Sequence, residues 1–213
     1  MTHEEAILPT LDDIKSALSR HEPRSQPFRA VPEQAAVAMI LAGEEDGLRL
    51  CMIRRAEREG DPWSGHYAFP GGRAQPEDPH ARAVAERETG EEVGLWLEER
   101  HQLGALSEMP IRLGGRDTGM RLSMFVYYWG CALPPFTPND EVAAAYWVPL
   151  SHLWDAANAT HLDIDLSGAR VLYPAIQYRD YVIWGLTFRV LTLFSDVLDQ
   201  PLPHLEEIPG LGR

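Results

Sequence analysis

Phe69-Pro70-Gly71-Gly72-Arg73 runs through Glu77-Asp78 to Arg87-Glu88-Thr89-Gly90-Glu91-Glu92-Val93-Gly94-Leu95, and the second half of this stretch reads as a helix. Asp78 suits the N-cap, Pro79 suits the first helical position, and Gly94 can take the left-handed conformation that ends a helix, so the expected span is Pro79 to Val93. Residues three and four apart are neighbours on a helix, which brings Glu88, Glu91 and Glu92 to one face. Like charges at these spacings repel, so the cluster asks for a cation. Hard carboxylate oxygens suit Mg²⁺ or Mn²⁺, ions that keep several waters and are shared with substrate phosphates. The Gly71-Gly72 turn just upstream leaves backbone bare, where a carbonyl can face a metal or amides a phosphate. A lone Glu-Glu pair after such a turn would read as a solvated acidic helix face, and the whole string changes that weighting.

The string resembles the Nudix box, Gly-x5-Glu-x7-Arg-Glu-U-x-Glu-Glu-x-Gly-U with U a bulky apolar residue. From Arg87 to Leu95 every fixed position matches except Thr89. Counted from Gly72, Asp78 stands at the first acidic position and Arg87 comes one residue late; counted from Gly71, Glu77 is found but the delay is two. The one-residue expansion with Asp is similar to the coenzyme A branch of the family. That resemblance implies an α/β (α+β) fold, a mixed sheet sandwiched between helices. It implies a metal-dependent hydrolase of a nucleoside diphosphate linked to another group. By matching position, Glu88, Glu91 and Glu92 are the implied metal ligands, with the backbone carbonyl of Gly71 another. Arg87, at i,i+4 to Glu91, is the implied orienting partner of the carboxylates. The general base moves between box and distal loop in this family. Glu141, in Pro138-Asn139-Asp140-Glu141-Val142, is the first distal candidate, with Glu108 and Asp117 behind it and an exposed loop acid as the plain alternative.

Two further stretches resemble the coenzyme A branch. Leu50-Cys51-Met52-Ile53-Arg54-Arg55-Ala56, with Gly65 downstream, is a loose match to its upstream pattern, and Ile183-Trp184-Gly185-Leu186-Thr187 to a stretch near its C-terminus. Coenzyme A carries a 3′-phosphate on its ribose, which a basic group beyond the metals should meet. Arg54, Arg55, Arg58 and Arg73 are the candidates, each equally readable as a surface salt-bridge partner. Three functions stand against one another: a coenzyme A diphosphatase, a Nudix hydrolase of another substrate such as ADP-ribose, a dinucleotide or a nucleoside triphosphate, and a non-catalytic nucleotide-sensing module. The intact carboxylates argue against the last.

The formal net charge of -13 and pI near 5.0 argue against polymeric nucleic acid as a partner, while a small polyphosphate held through cations remains compatible. Cys51 and Cys131 lie in apolar runs without Cys-x-x-Cys spacing and read as buried reduced thiols. The first residues, Met1-Thr2-His3-Glu4-Glu5, are acidic where a signal peptide is basic, and no apolar run is long enough to span a bilayer. The expected place is the cytosol. The oligomeric state stays open, a homodimer being one option.

Along the chain, Leu11 to Arg20 reads as an amphipathic helix within an N-terminal arm, residues 1–33, packed on a Nudix domain of residues 34–199, with an extended tail over 200–213. Ala35 to Leu41 and Leu48 to Ile53 form an expected hairpin around Gly43 to Gly47. Strands are expected at Leu103 to Leu106, Leu122 to Trp129 and Ala145 to Leu150, with a Gly-rich loop from Leu113 to Gly119. A short helix from Ser151 to Asn158, a second hairpin around Ser167-Gly168 and a helix from Trp184 to Leu198 complete the reading.

Overall fold

The computed structural model of the protein describes residues 8–60, 63–113, 116–166 and 169–203. The expected acidic start, the Ser167-Gly168 turn and most of the C-terminal tail lie outside them. A seven-stranded mixed sheet forms the centre. Its strands are β1 (Gln34–Ala42), β2 (Arg49–Arg55), β3 (Tyr67–Ala68), β4 (Gly71–Arg73), β5 (Gln102–Leu113), β6 (Arg116–Tyr128) and β7 (Val142–Pro149). The path runs β3-β2-β1-β6-β5, with β4 on β1 and β7 on β2. Among the described residues, only β1 and β6 pair parallel, from Gln34↔Arg121 to Leu41↔Tyr128.

Alternation along the strands builds two cores, one on each face. Ala36, Ala38, Ile40, Cys51 and Ile53 face one side, where they bury Val84, Ala85 and Val93 of α2 (Ala81–Val93). Met39, Leu41, Leu50 and Met52 face the other, against Ile14 and Leu18 of α1 (Leu11–Arg20) and Phe188, Leu191 and Phe194 of α4 (Gly185–Val197). The sheet therefore lies between helices. α1 begins with a reciprocal cap, Thr10 and Asp13 each accepting from the other's backbone amide, and packs on β5. A second, antiparallel sheet follows short α3 (Leu150–Trp154), in the order β10-β9-β8, with β8 Ala159–Leu166, β9 Ala169–Tyr178 and β10 Tyr181–Trp184.

The first hairpin forms as expected, but β1 and β2 pair only through Leu41↔Leu50 and Ala42↔Arg49. β2 stays paired with β7 along its whole length, but beyond that point its other edge takes β3 at Ile53 and Arg54, and β4 takes the place of β2 on β1, from Ala35↔Arg73 to Val37↔Gly71. This fork sets Gly71 beside β1 and aims the end of β2, Arg54-Arg55, past it.

Several expectations need correction. β5 continues through Ser107, Glu108 and Pro110 to Leu113, because register shifts between Leu106 and Met109 and between Pro110 and Arg112 absorb the polar and proline residues. β6 correspondingly starts at Arg116, inside the expected Gly-rich loop. The expected helix after β7 is only α3 and a 3₁₀ turn at Ala156–Asn158. Tyr181–Trp184 is a strand, and Gly185, at φ 61°, turns the chain into α4. Cys51 is buried, whereas Cys131 is exposed in the loop after β6. No helix among the described residues is long and apolar enough to cross a membrane.

Candidate active site

The helix bearing the acidic cluster starts two residues later than expected. Its N-cap is His80, whose Nδ1 accepts from the Ala83 amide at 3.0 Å. Asp78 is occupied elsewhere: both carboxylate oxygens accept from Arg87, at 3.1 Å from Nε and 3.0 Å from Nη2, and the Gln75 amide adds a third bond at 2.8 Å. Burial pushes the Asp78 carboxyl up, but these bonds more than offset it and hold it below the usual range. The other end is as expected. Gly94, at φ 74°, closes the helix with its amide on the Gly90 carbonyl.

Glu88 and Glu92 come against the glycine turn. The Gly71 amide donates to Glu92 Oε2 at 2.8 Å, so this amide serves the helix and is not free for a phosphate. A Cβ on Gly72 would lie 2.5 Å from the Glu88 carboxyl carbon, and one on Gly71 would lie 2.2 Å from the Ala36 carbonyl oxygen. At Gly71 the obstacle is backbone, and at Gly72 it is the Glu88 carboxylate itself. Glu92 is 2% exposed, and desolvation pushes its pKa up to about 8, with the Glu88 charge adding to the shift and the Gly71 amide opposing it. Glu88 is raised for the same reason, burial first. Glu91 is different: its side chain is half exposed and its carboxylate accepts from Arg87 Nη1 at 3.1 Å. Arg87 thus ties Asp78, Glu88 (2.9 Å) and Glu91 together and also donates to the Arg73 carbonyl. The three glutamates share a helix face, yet among the described residues no three acidic, His or Cys side chains are close enough together to enclose a cation as they stand.

Glu141 stands opposite. Its carboxylate accepts from Arg58 Nη1 at 3.0 Å, its amide donates to Asn139 Oδ1, and its charge contributes to the upward shifts of both Glu88 and Glu92. The loop before it hangs from the helix end, where Thr137 and Asn139 amides donate to the Val93 and Glu92 carbonyls. Glu108 and Asp117 lie elsewhere. Glu108 accepts from the Gln26 amide and Ser123, and Asp117 from the Gly119 amide near the β5–β6 turn.

The sequence model of the NUDIX domain matches residues 32–166, more than half of the chain. The chain belongs to the Nudix hydrolase family. It is 35% identical over 182 residues to an uncharacterised protein of Schizosaccharomyces pombe, covering 74% of this chain and 54% of that one. The chain thus spans about half the length of that relative. Against the uncharacterised Nudix hydrolase NudL of Yersinia pestis it is 30% identical, with 77% of this chain and 79% of the relative covered. Among solved structures, a MutT/nudix family protein from Enterococcus faecalis superposes with a TM-score of 0.53 at 17% identity, over 89% of this chain and 75% of that one, a likeness of fold.

In this Nudix domain the four arginines singled out from sequence take different places. Arg58 is the partner of Glu141, and Arg55 lies near enough for its charge to favour ionised Glu92. Arg73 is exposed on β4. Arg54 points to the opposite face and sits 4.5 Å over the Tyr181 ring. There sequence reasoning missed a cluster of Tyr67, Tyr146, Tyr178 and Tyr181, assembled from β3, β7, β9 and β10 with Arg179 at its rim. No local signal announces it, since its members are brought together only by the docking of the second sheet.

Proposed function

We infer that this Nudix hydrolase acts in the cytosol as a metal-dependent coenzyme A diphosphatase, yielding 4′-phosphopantetheine and adenosine 3′,5′-bisphosphate. The observation that carries the hydrolytic reading is the placing of two largely buried carboxylates, Glu88 and Glu92, against the Gly71–Gly72 turn. Burial leaves their charge short of compensation, because Arg87 is shared with Asp78 and Glu91. An all-oxygen donor set of this kind fits Mg²⁺ or Mn²⁺, with Glu88 and Glu92 as holders and Glu91 joining on release from Arg87. When bound, such a cation neutralises the diphosphate and lowers the pKa of a water.

The protein's own groups do the rest. Arg87 fixes the carboxylates of Glu88 and Glu91 from behind, anchored by the buried Asp78. Glu141 accepts the proton as water adds to one phosphorus and the bridging oxygen leaves with the other. Arg58, paired with it, orients its carboxylate for that role.

Coenzyme A as substrate draws support from the Asp78–Arg87 spacing and from the stretch Ile183 to Thr187, both of which resemble that branch. The late Arg87 is matched to Asp78 by a double hydrogen bond, and Thr187, at the end of Ile183-Trp184-Gly185-Leu186-Thr187, donates to the Tyr67 carbonyl at 2.8 Å, on the strand that leads into the glycine turn. Product analysis on a panel of coenzyme A, ADP-ribose, NADH and nucleoside triphosphates tests the reading. Coenzyme A is expected to be cleaved with the highest kcat/KM. A clear preference for ADP-ribose would move the enzyme to another nucleoside diphosphate derivative.

A further inference from the structure

The end of β2 carries two successive arginines, and alternate residues of a strand face opposite sides. Arg55 acts on Glu92. Arg54 turns to the other face, where it lies 4.5 Å over the Tyr181 ring and donates to the Tyr181 hydroxyl at 2.8 Å. Arg179, in the turn between β9 and β10, lies 4.7 Å over Tyr146 and 5.7 Å over Tyr178. These three rings all pack edge-on against Tyr67, with centroids at 5.8, 5.8 and 6.2 Å. One connected ring system therefore carries two cations.

Those cations are held by aromatic rings and not by carboxylates. Arg58, Arg82, Arg87, Arg100 and Arg170 each sit beside a carboxylate. Arg54 and Arg179 are held on tyrosine faces, and among the described residues neither has an Asp or Glu within ion-pair distance. In a chain with 32 acidic residues against 19 basic ones, two guanidinium groups on one ring cluster, neither neutralised by an acid, leave positive charge there for an anion. Arg54 Nε is moreover a buried donor with no acceptor, so the hydrogen-bonding capacity of this guanidinium is not used up within the fold. Arg179 is kept at φ 52°, a conformation few non-glycine residues adopt and one that surrounding structure must sustain.

We propose that this arginine–tyrosine platform binds a phosphate monoester carried on the substrate's nucleoside, apart from the scissile diphosphate, with Arg179 as its principal contact and Arg54 beside it. The proposal rests on the coenzyme A reading and deepens it. A ligand that straddles the end of β2 sets its diphosphate on the Glu92 side and its nucleotide phosphate over the tyrosines. Planar guanidinium forks suit a terminal phosphate, and Tyr181, 40% exposed, leaves ring surface for a purine beside it. Arg58, already paired with Glu141, is released from that role.

Adenosine 3′,5′-bisphosphate and 5′-AMP differ only in the 3′-phosphate, so calorimetric titration of the full chain with each, without added metal, reads the subsite alone. The bisphosphate is expected to bind about 10-fold or more tightly than AMP. Arg179→Ala should bring the two affinities within about twofold of each other, and Arg179→Lys should restore part of the difference. Arg170→Ala, which removes an exposed arginine from the same sheet that is paired with Asp163, should leave the ratio as it was. Equal affinities in the unmodified protein overturn the proposal, as does a ratio that neither Arg179→Ala nor Arg54→Gln moves. The two readings fail separately. A normal ratio in an enzyme that does not cleave coenzyme A removes the substrate assignment and keeps the subsite, whereas cleavage with a ratio of one removes the subsite and keeps the assignment.

Discussion

Glu92 is the residue on which charge, burial and chemistry meet. Its folded pKa, near 8, lies above the ordinary 4.5, so between these values the folded protein binds the extra proton. The stabilisation associated with that proton is complete below about pH 4.5 and disappears as pH rises through about 8. In chelator, the melting temperature of the unmodified protein should therefore decline across this window, and Glu92→Gln should flatten the decline while lowering turnover by roughly 10² to 10⁴. Parallel pH profiles for the two proteins would exclude Glu92 as the group responsible. Glu141 tests the proton-accepting role separately: half exposed and bonded to Arg58, it can be replaced with little structural cost. Steady-state kinetics of Glu141→Gln should show kcat reduced by about 10² to 10⁴ at nearly constant KM. A kcat near that of the unmodified enzyme would return the role to the box.

At the scale of elements, the glycine turn and the helix face form one fitted surface whose two glycines answer to different constraints. A side chain at Gly71 meets backbone, the Ala36 carbonyl and Val37 Cα, neither of which can yield without parting β4 from β1. At Gly72 it meets only the carboxylate end of Glu88. Gly71→Ala should thus yield little folded protein by circular dichroism, whereas Gly72→Ala should fold and lose activity; the reverse pattern would contradict this packing. Much of this region was legible in the sequence, because glycines, acidic spacing and the Gly94 stop are local signals. The helix start was misread, since Asp78 is as good a cap as His80 until Arg87 reaches across nine residues to claim it. Strand β5 was read short because polar residues and Pro110 look like a terminus when the bulges that accommodate them cannot be seen. The tyrosine cluster was invisible for a stronger reason: Tyr67 and Tyr178 are 111 positions apart and meet only after both sheets form.

Across the whole molecule, the excess of negative charge and the buried carboxylates make a divalent cation a stabilising ligand. Mg²⁺ or Mn²⁺ should raise the melting temperature, and more so at pH 8 than at pH 6, because Glu92 must lose its proton to bind the ion. Hydrolysis should stop in excess chelator and return on adding metal. Full activity in chelator, or a shift independent of pH, would sink the metal reading.

The last turn of α2 also holds the loop that follows β6: Glu92 and Val93 carbonyls accept from Asn139 and Thr137, a Cβ on Gly94 would come within 3.0 Å of Thr137, and Asn139 in turn receives the Glu141 amide. Helix and loop are thereby one mechanical piece, although 43 positions separate Gly94 from Thr137. A chimaera that exchanges the box helix with a relative's should keep its chemistry only when residues 137–141 travel with it.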